Sequence, residues 1–173
     1  NVDAAAVSEL HNAYLFAFVR HPLSWYESWF SYMSRPDRRW LNWGQQEHAF
    51  GVRHVHPCAP LNGLGFDDFN HFLENVLRRR PGWVTELYSW YTGSGVSFVG
   101  HQETLAEDLI KVLHNLGHQV DQPYIRARAR HRQNRSEDYR AGLRWDPALR
   151  EEIRAVEYAA IRRYGYADEP PGV

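Results

Sequence analysis

FAFVRHPLSWYESWF, residues 16–30, is the stretch on which the fold turns. With Leu15 in front of it, Leu15 to Val19 is a nearly unbroken apolar run, as expected of a strand in a parallel sheet with both faces covered by helices. Arg20, His21 and Pro22 end the run. Proline suits a first helical position, where its missing N–H would go unpaired anyway. The spacing then predicts a helix from Pro22 to Met33, with Leu23, Tyr26, Phe30 and Met33 as one buried stripe. Open parallel sheets place ligands at the C-terminal ends of their strands, and a helix N-terminus beside Arg20 adds a positive dipole, so the position suits an anion. Ser28 lies eight residues after Arg20 and leans back toward the helix start, within reach of the same anion. On these residues alone, Arg20 reads equally well as a structural cap or a surface salt-bridge partner.

Outward from this segment the chain alternates helices and strands, which defines an α/β class. Asn1 to Asn12 reads as a short helix, and Ser34 to Gly65 as a long loop rich in Pro, Gly, Trp and His. Helical periodicity resumes with Asp67 as N-cap and Phe69, Phe72, Leu73, Val76 and Leu77 as the apolar face, then stops at Pro81-Gly82. A helix from Trp83 to Tyr91, a turn from Thr92 to Gly95 and a strand from Val96 to Val99 follow. The next helix, Glu103 to Leu116, ends at Gly117. A final helix opens with Asp146 as N-cap and Pro147 at its first position, and ends at Gly165. Two strands are too few for a doubly wound sheet, so further strands are expected from another segment or chain.

The 173 residues, 43% of them hydrophobic, suffice for one core and a single domain. A net charge of -1 argues against wholesale affinity for nucleic acid or anionic lipid. Cys58 is the only cysteine, which excludes an internal disulfide framework and fits a reducing, cytoplasmic compartment. No apolar run approaches the roughly 18 residues of a membrane span, so no membrane partner is expected. Lys111 is the only lysine, so arginine, whose planar fork suits phosphate and sulfate, carries nearly all the positive charge.

The segment FAFVRHPLSWYESWF resembles the 3′-phosphate-binding motif of sulfotransferases: a hydrophobic strand, an arginine, a proline two residues on, and a serine eight residues after the arginine. Arg20, Pro22 and Ser28 match it. SFVGHQETLAEDLIKVLHNLG, residues 97–117, is similar to the late strand and acidic helix of that family, with Glu103, Leu105, Asp108 and Leu109 at the E-x-L-x-x-D-L positions. AVEYAAIRRYGY, residues 155–166, is similar to its closing aromatic helix. The resemblance implies a P-loop NTPase-like sulfotransferase fold, helix-rich, with a parallel sheet flanked by helices. It implies 3′-phosphoadenosine 5′-phosphosulfate (PAPS) as donor, 3′-phosphoadenosine 5′-phosphate (PAP) as product, and transfer of the sulfuryl group to a hydroxyl or amine acceptor. Arg20 and Ser28 would bind the 3′-phosphate without proton transfer. The glycine- and Lys/Arg-containing loop that cradles the 5′-phosphosulfate in such enzymes does not precede Tyr14, so the domain is expected to be N-terminally incomplete and its catalytic residues are not identified. The runner-up is a non-catalytic sulfotransferase-like binding or assembly module.

Residues 126–135, RARARHRQNR, hold five arginines in ten positions. Family position assigns Arg132, Asn134, Arg135 and Ser136 to the donor's 3′-phosphate; the alternatives are a solvated basic helix end or a nucleic-acid contact. His48, His54, His56 and Cys58 lie close together without a recognised zinc spacing, so no metal is expected. His54 and His56 are instead candidates to face the acceptor, as imidazole titrates near neutrality. Most of the seven tryptophans read as packing residues. Trp40 and Trp43 are the two expected to border a small-molecule or carbohydrate acceptor.

Overall fold

A parallel strand pair and a helical core account for the regular structure of the computed structural model, which describes residues 13–35, 40, 57–130 and 143–170. The chain is α/β and helix-rich. Its contacts divide it into two compact units, one drawn from Asn1–Val19 and Ser89–Arg132, the other from Arg20–Tyr88 and Gln133–Val173.

In the first unit, β1 (Leu15–Val19) pairs in parallel with β2 (Val96–His101). Phe16 faces Phe98, Phe18 faces Gly100 and Val19 faces His101, with an irregularity between Leu15 and Phe16. Gly100 is there because the Phe18 ring lies across it: a Cβ at that position would sit 2.7 Å from the ring. β2 runs two residues past the expected Val99, because the buried Asp108 carboxylate accepts the His101 N–H at 2.9 Å and fixes the strand end. A 3-10 turn, Gln102–Thr104, leads into α4 (Leu105–Asn115), so the helix expected from Glu103 is tighter in its first turn. Gly117 follows at φ +78°, the left-handed conformation that closes a helix. α5 (Gln122–Arg130) was not expected as a separate helix. Asp121 accepts the Tyr124 N–H at its start, and Arg126 makes a bidentate pair with Glu107 of α4 at 2.7 and 2.9 Å. Leu15 and Phe16 are 36% and 42% exposed, contrary to a strand covered on both faces. Apolar sequence on both faces does not supply the cover; packed elements do.

The second unit is built on α1 (Pro22–Met33), whose expected stripe of Leu23, Tyr26, Phe30 and Met33 is buried. It packs against α2 (Phe69–Arg79) through Phe30–Phe69 and Phe30–Phe72 ring contacts, with centroids 5.3 and 5.9 Å apart. Asp68, one residue later than expected, caps α2 by accepting the His71 N–H at 3.0 Å. α3 (Trp83–Tyr91) inserts Trp83, Val84, Leu87 and Tyr88 into the same core. α6 (Pro147–Val156) starts where expected, with Asp146 accepting from Ala148 and Leu149 N–H. Asn70 of α2 stitches that start in place, donating to the Arg144 carbonyl and accepting the Asp146 N–H. The last helix is not continuous. It breaks at Glu157, whose side chain enters the core, and α7 (Tyr158–Arg163) completes it before Gly165.

Among the described residues no helix is long and apolar enough to cross a membrane.

Candidate functional site

Three residues fix the start of α1. Pro22 disfavours helical backbone in the residue before it, and His21 accordingly holds ψ 126°. The His21 ring is fully buried and folds over the helix end, its Nδ1 accepting the Leu23 N–H at 3.2 Å. Since that nitrogen accepts, the proton belongs on Nε2, which donates to the Ala167 carbonyl at 3.1 Å. The first bond internal to the helix runs from Trp25 N–H to the His21 carbonyl at 2.9 Å. Pro22 has no N–H and Leu23's is taken, so Ser24 carries the first-turn N–H that meets no partner among the described residues. It is one of the donors that make a helix start an anion site.

Arg20 stands just ahead of this turn, half-buried. Its backbone is gripped by Tyr88 of α3: the Arg20 N–H donates to the phenol oxygen at 3.0 Å, and the phenol donates to the Arg20 carbonyl at 2.7 Å. Ser28 lies six residues into α1 from Pro22, about 9 Å along the helix axis. It is half-buried, and its hydroxyl has no partner among the described residues. Ser31 behaves differently, donating to the Glu27 carbonyl at 2.7 Å in the usual back-bonding of helical serines. Ser24 and Ser28 are four residues apart and share one helix face. Arg20, the Ser24 N–H and the Ser28 hydroxyl thus belong to one continuous segment at one helix start.

Glu157 fixes the elements around this segment. It is fully buried, and four donors converge on its carboxylate: Tyr26 Oη at 2.6 Å, Val84 N–H at 3.0 Å, Thr85 N–H at 2.8 Å and Thr85 Oγ1 at 2.7 Å. It therefore caps α3 from more than 70 residues away while holding α1 through Tyr26. Burial, and then the neighbouring carboxylate, push the Tyr26 phenol well above its usual range. Beside it, Trp145 donates to Glu27 at 2.7 Å and sets its ring edge-on to Phe69.

Of the other predicted residues, Trp40 is half-buried and packs its ring on Phe30 and Phe72, with centroids 5.6 and 5.2 Å away. Gly65 leaves room for that ring. Phe30 also lines a cavity of about 440 Å³ together with Asp67, Asp68, Phe69, Asn70, Leu143 and Arg144. Trp43, His54, His56, Arg132, Asn134, Arg135 and Ser136 lie outside the described residues. Cys58 is buried, and burial pushes its thiol up to about 12, which leaves it protonated. In the acidic helix motif, Asp108 is buried and accepts from His101 N–H, Thr104 Oγ1 and Lys111 Nζ, whereas Glu103 is exposed.

Sequence reasoning missed Tyr88 and Glu157. The only local signal for Glu157 was one acid set among apolar and aromatic residues in AVEYAAI, and Tyr88 gave no sign of its bond to Arg20.

No family model, curated protein or solved structure matches this chain.

Proposed function

We propose that this chain is the 3′-phosphate-binding part of a PAPS-dependent sulfotransferase of P-loop NTPase-like fold, with Arg20 and Ser28 holding the donor. The observation that carries the reading is the paired availability at the start of α1: the Ser24 N–H and the Ser28 hydroxyl have no partner among the described residues and follow immediately after a backbone-clamped arginine. A phosphate monoester wants one planar cationic fork and neutral donors around its remaining oxygens, and this segment offers both. The donor supplies the activated sulfuryl group. The chain's residues bind and orient its nucleotide end, leaving the sulfur free for in-line attack by an acceptor hydroxyl or amine. The cavity lined by Phe30, whose ring Trp40 also contacts, is the candidate acceptor pocket, within the size range of small-molecule sites.

The test is thermal unfolding and calorimetry with PAP. At one hundred times its Kd, a ligand selective for the native state adds about 2.7 kcal/mol. In a chain of this size that raises the midpoint by about 5–10 °C. Arg20→Ala is expected to remove most of the shift and Ser28→Ala part of it. A wild-type chain that shows no shift and no heat of binding overturns the reading.

A further inference from the structure

We infer that Tyr88 is a positioning residue for the anion grip, acting through the backbone of Arg20. The inference rests on the donor-site reading above.

The starting point is the problem that Pro22 creates. By holding His21 extended, it prevents α1 from reaching back one more residue, so the helix cannot use the Arg20 carbonyl as an acceptor. That leaves the carbonyl of a half-buried residue in need of a partner, beside an N–H that the helix could not have satisfied in any case. A phenol hydroxyl has one proton and two lone pairs, and Tyr88 spends both functions on Arg20: it accepts the N–H at 3.0 Å and donates to the carbonyl at 2.7 Å. Two bonds from a single oxygen to one residue fix the peptide planes on either side of its Cα, and hence the direction in which the Arg20 side chain leaves the chain.

The clamp is itself anchored. Tyr88 is 1% exposed, and its ring meets Tyr164 edge-on at 5.7 Å. It sits one turn beyond Val84 and Thr85, whose N–H groups are held by Glu157. Pro22 protects the remaining donor. With His21 held extended ahead of Pro22, the Ser24 N–H does not reach the Arg20 carbonyl at the i−4 position and, among the described residues, stays available to a ligand. Tyr88 therefore acts on the site without touching an anion: it aims Arg20, while Pro22 keeps the Ser24 N–H open.

The deciding experiment is a double-mutant cycle on the full chain, with PAP affinity measured by calorimetry and folding by circular dichroism. Tyr88→Phe keeps the ring and removes the clamp; it is expected to weaken PAP binding about tenfold. In an Arg20→Ala background the same change is expected to leave the residual affinity within about twofold, because a residue acting through Arg20 has nothing left to act on. If Tyr88→Phe folds poorly, the cycle is repeated in a stabilising osmolyte, which restores the folded fraction without replacing the clamp, and the tenfold loss is expected to persist. Wild-type-like affinity in folded Tyr88→Phe, with or without the osmolyte, overturns the inference and leaves the donor site standing. An equal loss with and without Arg20 does the same. Absence of PAP binding by the wild-type chain removes both.

Discussion

A carboxylate buried with no cation beside it among the described residues is costly unless several donors meet it, and Glu157 has four. Two of them are the N–H groups of Val84 and Thr85 at the start of α3, where the helix dipole also favours negative charge. Removing the acceptor strands all four at once. Glu157→Ala is therefore expected to cost about 3–5 kcal/mol. Glu157→Gln, which keeps one carbonyl oxygen and the side-chain volume, is expected to cost less than half of that. Urea unfolding of the two variants checks the order; equal losses would mean that side-chain volume, not hydrogen bonding, makes the contribution. Tyr88 shows the same economy on a smaller scale, one oxygen satisfying both backbone groups of Arg20.

Where elements join, the β2–α4 junction depends on Asp108. The residue sits in the first turn of α4 and reaches back to the end of β2, so one side chain fixes a strand terminus, a 3-10 turn and a helix start. Burial alone would raise its carboxyl, but the His101 N–H, the Lys111 ammonium and the Thr104 hydroxyl outweigh it and hold the group below the usual aspartate range. A carboxyl depressed in the folded state stabilises the fold at pH values above its unfolded pKa of about 3.9. That contribution fades as pH falls toward and through the folded value. Denaturant melts between pH 6 and pH 2 are expected to show this acid-side loss, and Asp108→Asn to flatten it while lowering stability near neutrality. An unchanged acid slope in the variant would assign the loss to other carboxyls. The acidic-helix pattern in the sequence located Asp108; only the fold shows that its partners lie in the preceding strand and turn.

At the scale of the molecule, burial is uneven. In the second unit α1, α2 and α3 contribute an aromatic and aliphatic core in which Leu23, Tyr26, Phe72, Leu73, Val76, Trp83 and Val84 are all fully buried. The first unit, among its described residues, keeps Leu15, Phe16, Trp90, Leu105 and Tyr124 exposed. Local opening is easiest where few apolar groups are buried. Amide exchange is therefore expected to be slowest in α1, α2 and α3, and faster by orders of magnitude in β1 and β2. Strand amides that exchange as slowly as those of α2 would contradict this ranking.

Residue spacing and local chemistry determined where α1, α2, α3 and α6 lie, because helix starts and apolar stripes are written within a few residues: Pro22, Pro147, Asp146 and the Leu23–Tyr26–Phe30–Met33 face. The same local pattern placed Arg20 and Ser28 on one segment. Boundaries moved where a distant group competed, as when Asp108 extended β2 and Glu157 interrupted the last helix. What only the tertiary structure decided is the support of the candidate site: Tyr88 meets Arg20 across 68 residues, and Glu157 meets Val84 across 73. Such bonds leave no periodic trace, because their partners are chosen by the packing of whole helices and not by spacing along the chain.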